Sequence, residues 1–199
     1  MRLARIEIGD DVVVGAYEDG VVESDGEQYV VGEDGDLAPP CDPSAVYCIG
    51  RNYAETLAQK GYERAEQPTF FIKPPASVIP HGAPIPYPTF SEEVTYAGEL
   101  VAVIDEECHD LTPEEAEEVV RGFTVMNDVD ALDQPGLTSR KAFDGSGPLG
   151  PWIETDVDPT NLEMYTEING ERRQDANTEL MLWGPYELLS FLSERFTFR

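Results

Sequence analysis

Two carboxylates lie where strand-like runs of the sequence would bring them together. Glu99 opens an alternating apolar run that ends at Ile104, and Asp128 follows a second apolar run over residues 122–126. Successive side chains of a strand alternate between its two faces, so positions 97 and 99 share a face. A carboxylate at both positions would form a pincer for a hard divalent cation, but residue 97 is alanine. The sequence therefore predicts a cation site that has lost one arm.

The chain is strongly acidic, with 40 acidic and 13 basic residues and a formal net charge of −27 over 199 residues. The acids are spread along the whole chain, which predicts a solvated, halophile-like surface whose self-repulsion is screened by salt. An acidic surface for a basic partner is the alternative. The same charge argues against binding to nucleic acid or to an acidic membrane surface.

Localisation signals point to the cytoplasm. No apolar run approaches the roughly 20 residues of a membrane span, and the N-terminus lacks the apolar core of a signal peptide. The three cysteines include no Cys-x-x-Cys pair, which is typical of reduced thiols in a cytoplasmic protein.

The elements that must position these carboxylates are mostly strands. Asp-Gly turns between β-rich runs predict hairpins in residues 1–43, a small antiparallel N-terminal module that ends in a proline-rich linker. In residues 44–199 we expect strands near 45–49, 69–73, 95–104, 147–153, 163–168 and 180–183. Helices are expected over 53–60 and 186–194. A further helix is expected to begin at a capping box formed by Thr112 and Glu115 and to end at a C-terminal glycine near Gly122. Strands outnumber helices without βα alternation, so the predicted fold class is β-rich α+β.

Several motifs follow one another in a recognisable order between residues 45 and 199. They include Ile49-Gly50-Arg51-Asn52-Tyr53, Phe70-Phe71-Ile72-Lys73-Pro74, Gly98-Glu99-Leu100, Asn127-Asp128-Val129, Lys141-Ala142-Phe143, Gly147-Pro148-Leu149-Gly150-Pro151-Trp152 and Asn169-Gly170-Glu171 followed by Gln174. In this order the chain resembles the fumarylacetoacetate hydrolase (FAH) superfamily. The resemblance implies a mixed β-roll behind a small N-terminal module, commonly in a homodimer. It also implies hydrolysis, isomerisation or decarboxylation of small 1,3-dicarbonyl and 2-oxo acids.

The resemblance further implies roles for individual residues. Family members hold Mg²⁺, Mn²⁺ or Ca²⁺ on a Glu-x-Glu pair and the Asp of the Asn-Asp motif, which match Glu99 and Asp128 here. Lys141 matches a lysine that stabilises the oxyanion and is the expected catalytic residue. Arg51, Asn52 and Lys73 are the expected substrate-binding residues, the two cations meeting substrate carboxylates.

Four positions depart from the family pattern at chemically important places. Ala97 replaces the first Glu of Glu-x-Glu, Thr56 and Gln59 replace a His-x-x-Glu pair that activates water, and Leu132 replaces an arginine. Asp130 stands where the motif has serine, and it either restores the lost charge as a metal ligand or faces solvent.

Two functions stay open at this point. The chain is either a divergent metal-dependent enzyme acting on a small oxo acid or a non-catalytic relative that binds a metabolite or a protein partner. The sequence stops at Arg199, where the family continues with closing strands, so we expect a truncated gene.

Overall fold

The computed structural model describes residues 1–199 and is rich in strands. The helices are α1 (Ala54–Lys60), α2 (Pro113–Glu118), α3 (Gly136–Lys141) and α4 (Pro185–Ser193). The strands are β1 (Arg2–Ile8), β2 (Asp11–Glu18), β3 (Val21–Ser24), β4 (Glu27–Val30), β5 (Asp36–Leu37), β6 (Val46–Gly50), β7 (Thr69–Lys73), β8 (Val78–Pro80), β9 (Val94–Thr95), β10 (Gly98–Ile104), β11 (Val120–Asn127), β12 (Asp130–Ala131), β13 (Gly147–Leu149), β14 (Ile153–Glu154), β15 (Glu163–Ile168) and β16 (Glu171–Asn177).

One ten-stranded sheet forms the centre of the fold. Its strands run in the order β4-β3-β2-β1-β14-β11-β13-β8, with β5 also paired to β1 and β10 to β11. Most pairs are antiparallel, whereas β13 and β8 are parallel, so the sheet is mixed. The sheet curls into a half-barrel. The predicted β-rich α+β class and the mixed β-roll are therefore confirmed.

The N-terminal hairpins form at Asp-Gly turns. Asp19-Gly20 joins β2 to β3 with φ angles of 46° and 88°, and Asp25-Gly26 joins β3 to β4 with φ angles of 52° and 83°. Positive φ at both turn residues is the type I′ geometry that matches the twist of a two-residue hairpin. Aspartate tolerates this conformation and glycine prefers it, which explains why the sequence pattern located these turns.

The N-terminal strands are continuous with the main sheet. β1 pairs with β14 through Leu3 and Ile153, and the ring of Tyr17 stacks on Trp152 with ring centroids 4.8 Å apart. The main sheet therefore contains strands from both sides of residue 43. The division of the chain into two domains there stays a prediction.

Several predicted elements differ from the structure, and the strands expected over 95–104 and 147–153 are each split, into β9 and β10 and into β13 and β14. Helix α2 begins at the expected capping box but ends at Glu118, since the β-branched pair Val119-Val120 leads directly into β11. Residues 180–183 are not a strand: Thr178–Leu180 form a 3₁₀ turn that is capped by the Asn177 side chain, which accepts a hydrogen bond from the Glu179 amide. No helix combines the length and apolar composition needed to cross a membrane.

The pairing of β10 with β11 positions the carboxylates. Gly98 is opposite Asn127 and Glu99 is opposite Met126, so Glu99 and Asp128 lie at the same end of the strand pair. Met126 packs in the core with Val46 and Leu149, which anchors this end of β11. The sheet therefore brings two residues 29 positions apart to one place.

Candidate active site

The backbone that carries Glu99 is fixed from two sides. The Asp128 amide donates a hydrogen bond to the Ala97 carbonyl oxygen at 2.8 Å. The Gln174 side chain accepts from the Gly98 amide and donates to the Gly98 carbonyl, each at 2.8 Å, while the Thr166 hydroxyl donates to Gln174 Oε1. The start of β10 is thus clamped between β11 and the β15–β16 hairpin, which limits how far Glu99 can move.

Asp128 lies between two lysine ammonium groups. Lys73 Nζ is 3.0 Å from Asp128 Oδ1, and Lys141 Nζ contacts Asp128 Oδ2. Lys73 has no exposed surface, and its ammonium also donates to the Ser146 carbonyl at 3.0 Å and the Lys141 carbonyl at 2.5 Å. Burial lowers the pKa of Lys73 and Asp128 opposes that shift. Lys73 is therefore a buried internal counter-ion.

Asp130 is engaged by an arginine that the sequence analysis did not single out. Arg140 Nε and Nη2 donate to the two carboxylate oxygens of Asp130 at 2.8 and 2.5 Å, and Lys141 Nζ lies 3.3 Å from the same carboxylate. Arg140 and Lys141 end helix α3, opposite the two aspartates. The sequence carries a signal for this contact, because the acids Asp128 and Asp130 are followed by the adjacent cations Arg140 and Lys141. Two acids and two cations so close in sequence can form a network of ion pairs.

Glu99 has no cationic partner of its own. Burial raises its pKa to about 7, the charge of Asp128 adds to the increase, and Lys141 opposes it. The Tyr53 hydroxyl is buried without a hydrogen-bond partner, and its pKa is raised to about 12 by burial and by the nearby charge of Glu99. Asn127 Oδ1 is buried without a hydrogen-bond donor as well, whereas Asp128 Oδ1 has the Lys73 ammonium 3.0 Å away. Glu99 therefore lies near a tyrosine hydroxyl that has no hydrogen-bond partner and near the charge of Asp128.

This donor set fits a hard cation held by two carboxylates but not by three. No three His, Cys, Asp or Glu side chains come together closely enough to hold a metal ion. Both oxygens of Asp130 accept hydrogen bonds from Arg140, and both oxygens of Asp128 face lysine ammonium groups, so a cation would have to displace a basic side chain from either aspartate. Asp130 as a ligand stays a prediction. Glu99 is the one carboxylate of the three without a basic partner, and Mg²⁺ in particular is often bound by one or two carboxylates while it keeps several waters. The raised pKa of Glu99 favours added positive charge here.

Two of the three predicted substrate-binding residues, Asn52 and Lys73, make buried contacts within the chain, and their role toward substrate stays a prediction. Lys73 is fully buried among acceptors and presents no donor to a ligand. The Asn52 amide donates to the Trp183 carbonyl at 2.9 Å and accepts from the Trp183 amide at 3.0 Å, so both of its ends hold the backbone. Arg51 is exposed, with its guanidinium carbon 4.1 Å from the centre of the Tyr62 ring, and it stays available to a ligand.

Three of the departures from the family pattern lie at the surface. Thr56 and Gln59 are both exposed on α1, and Gln59 donates a hydrogen bond to Glu55. Leu132 is 39% exposed. None of these three side chains can act as an acid or base at neutral pH, so water activation by α1 side chains at these positions is not available.

The fold and the site together define a class of protein. Residues 45–199 match the family model described as fumarylacetoacetate (FAA) hydrolase C-terminal. The chain belongs to the fumarylacetoacetate hydrolase family. Lys141, Glu99 and Asp128 lie within the matched region.

Individual relatives carry out several related reactions. A 4-hydroxyphenylacetate degradation bifunctional isomerase/decarboxylase from Salmonella dublin is 35% identical over 76% of this chain and 37% of its own length. The structure of a 5-carboxymethyl-2-hydroxymuconate delta-isomerase from Mycobacterium smegmatis is 34% identical, with a TM-score of 0.90 over 100% of this chain and 83% of the other. A fumarylpyruvate hydrolase from Pseudomonas aeruginosa, solved in complex with Mn²⁺ and pyruvate, is 31% identical, with a TM-score of 0.72 over 85% of this chain and 78% of the other. The chain spans 58 to 81% of the length of three further relatives that are 34 to 38% identical to it.

Proposed function

We propose that the protein hydrolyses, decarboxylates or isomerises a small 1,3-dicarbonyl or 2-oxo acid with the help of a divalent cation on Glu99 and Asp128. The observation that carries this proposal is the grouping of Lys141, Asp128 and Glu99 at a buried site, where Lys141 contacts Asp128 and Glu99 has no basic partner of its own. A divalent cation bound there would act as a Lewis acid toward the oxygens of the oxo acid. Mg²⁺ and Mn²⁺ are the metals that best suit carboxylate and water ligands, and Ca²⁺ is a third candidate.

Lys141 is the proposed catalytic residue. Its side chain is 13% exposed, and its ammonium contacts Asp128, lies 3.3 Å from Asp130 and lies 5.0 Å from the centre of the Phe71 ring. These contacts hold a positive charge at a fixed place in a site partly sheltered from water. A charge fixed before the reaction stabilises an enolate oxygen without reorganisation during the step.

Among the three reactions, the geometry favours isomerisation or decarboxylation over hydrolysis. Both reactions pass through an enolate and depend less on an activated water than hydrolysis does. The exposed Thr56 and Gln59 on α1 cannot supply a base for that water. Tyr53 keeps its proton at neutral pH because its pKa is about 12, so it would serve as a hydrogen-bond donor beside Glu99.

The test is turnover of oxaloacetate with added Mn²⁺, followed as ketonisation of the enol form and as decarboxylation. We expect activity in the wild type and a loss of about 10²–10³-fold in Lys141→Ala, the range for removing one group that stabilises an oxyanion. Arg173→Ala is the matched control, because it removes one exposed cation from the β15–β16 hairpin. Unchanged activity in Lys141→Ala with circular dichroism like that of the wild type would reject the assignment.

Three broader properties remain proposals that rest on the resemblance and on composition. We propose a homodimer, a cytoplasmic location and a requirement for high salt, the last because the net charge of −27 needs screening. Light scattering at several KCl concentrations tests the first and the third together. A dimer that unfolds at low salt is expected, and a monomer at every salt concentration would contradict the first of these proposals.

A further inference from the structure

Ser146 is a buried serine to which the proposed chemistry gives no part. It has no exposed surface and lies in the segment that joins helix α3 to strand β13. Its hydroxyl donates a hydrogen bond to the Lys141 carbonyl at 2.8 Å and accepts one from the Lys73 ammonium at 3.1 Å. A serine hydroxyl has one donor and two acceptor lone pairs, so the donor of Ser146 is used on the backbone of Lys141.

The Lys141 carbonyl needs a partner because it stands at the end of a helix. Helix α3 ends at Lys141, and the last four carbonyls of a helix have no amide partner within it. The Ser146 hydroxyl and the Lys73 ammonium bond this carbonyl. Ser146 therefore holds the backbone of the residue whose side chain is proposed to stabilise the oxyanion.

The backbone of Ser146 holds the two aspartates as well. Its carbonyl accepts a hydrogen bond from the Val129 amide at 3.0 Å, and Val129 lies between Asp128 and Asp130 in the chain. The Lys141 ammonium contacts Asp128 and lies 3.3 Å from Asp130. Ser146 thus bonds both backbone segments whose side chains meet in the ion network, and it helps to set the distance between them.

Close packing of the flanking glycines keeps Ser146 in place. A Cβ at Gly145 would lie 2.7 Å from two ring carbons of Pro86, and a Cβ at Gly147 would lie 3.3 Å from the sulfur and the terminal methyl of Met126. Gly145 also has a φ of 71°, in the left-handed region that glycine adopts at no steric cost. Since these neighbours confine the segment, the Ser146 hydroxyl is a fixed support for the end of α3.

We propose that Ser146 is a positioning residue, whose hydroxyl holds the Lys141 backbone so that the Lys141 ammonium stands beside Asp128 and Asp130 where the oxyanion forms. This inference rests on the proposed function, since it concerns the group that stabilises the oxyanion there. Lys73 bonds the same carbonyl through a long side chain, whereas the serine is a short link from a confined loop. A displacement of about 1 Å at a reacting group can cost on the order of 10²-fold in rate, so one such link matters.

The first measurement is oxaloacetate turnover with Mn²⁺ in Ser146→Ala and Ser146→Cys. Alanine removes the hydroxyl, and cysteine keeps a side chain of nearly the same shape with only a weak S–H donor. We expect kcat to fall about 10- to 100-fold in both variants while KM stays near the wild-type value. This split is expected because a contact that acts through Lys141 supports the transition state more than it supports substrate binding.

Ser193→Ala is the matched control. Ser193 has no exposed surface either, and its hydroxyl donates to the Ser190 carbonyl at 2.8 Å and accepts from the Leu111 amide at 2.9 Å at the end of α4. The change removes the same kind of buried hydrogen bonds without touching the ion network. We expect kcat to stay at the wild-type value even where the free energy of unfolding falls as much as in Ser146→Ala.

The second measurement needs no turnover. The chain has three lysines, Lys60, Lys73 and Lys141, so protein made with isotope-labelled lysine gives three side-chain signals in an NMR spectrum. We expect the signals of Lys73 and Lys141 to move in Ser146→Ala while that of Lys60 stays. Ser193→Ala should leave all three signals in place.

Several results would overturn the inference. They are an unmoved Lys141 signal in Ser146→Ala, a wild-type kcat in either Ser146 variant, and an equal loss of kcat in Ser193→Ala. Failure of both Ser146 variants to fold would overturn it too, because the hydroxyl would then serve the whole fold. Failure of the proposed function looks different: the wild type would not turn over oxaloacetate, and the Lys141 signal would still move in Ser146→Ala.

Discussion

Lys73 carries a charge with no exposed surface, and replacing it with methionine tests what holds the site together. At 3.0 Å from Asp128 the gross Coulomb attraction is about 5 kcal/mol at an effective dielectric constant near 20, before desolvation is subtracted. Lys73→Met removes this partner from Asp128 and three donors from the Ser146 and Lys141 oxygens. Removing one partner of a buried ion pair costs about 3–5 kcal/mol, and we expect the lower end because Lys141 still neutralises Asp128.

The assay is reversible unfolding in urea, followed by circular dichroism at fixed high salt. The matched control is Lys60→Met, an exposed lysine without an ion pair, for which a change within about 0.5 kcal/mol is expected. A loss of less than about 1 kcal/mol in Lys73→Met would refute the view that Lys73 is an internal counter-ion. Normal stability combined with lost substrate affinity would support the sequence-based prediction that Lys73 binds substrate.

Two further predictions concern the strand that carries Glu99. A Cβ at Gly98 would lie 2.8 Å from Thr166 Oγ1, so Gly98→Ala should disturb the Gln174 clamp and cost about 1–3 kcal/mol in urea unfolding. Gly50→Ala, whose nearest neighbour atom would be 4.0 Å away, should change stability far less, and equal losses would contradict the clamp. For the metal-free protein, the pKa of Glu99 is raised to about 7, so the folded state binds its proton more tightly than the unfolded chain does. The stability from this group is present below about pH 4.5 and is lost as pH rises through about 7, a loss of roughly 3 kcal/mol that Glu99→Gln should not show. Parallel pH curves for the two proteins would contradict it.

Much of the fold could be predicted because its signals are local. Asp-Gly pairs set the hairpins, the Thr112 capping box began α2, and side-chain alternation placed Glu99 on the face that meets Asp128. Local signals failed where tertiary contacts decide the outcome. Residues 180–183 have strand-forming side chains, but the Trp183 backbone is held by Asn52 from 131 positions away.

Only part of the candidate site could be predicted from the sequence, because the rest depends on tertiary contacts. The neighbourhood of Asp128 and Lys141 followed from the resemblance, yet the roles of Lys73 and Asn52 depend on burial that no local pattern reveals. The orientation of Asp130 depends on α3, which presents Arg140 to it across ten residues. Charge alternation in the sequence indicates such a network only when the helix is known to face the aspartates.

The central claim is that Glu99 and Asp128, without Asp130, hold a divalent cation beside Lys141. The most direct test is the affinity for Mn²⁺, measured by electron paramagnetic resonance of the free ion in wild type, Asp128→Asn and Asp130→Asn. We expect Asp128→Asn to weaken Mn²⁺ binding by more than about 10-fold, because loss of a direct ligand costs at least as much as the roughly 10–100-fold loss seen for groups that only support a ligand. Asp130→Asn should change the affinity by less than about 2-fold. Undiminished affinity in Asp128→Asn, or an equal loss in both variants, would contradict the account.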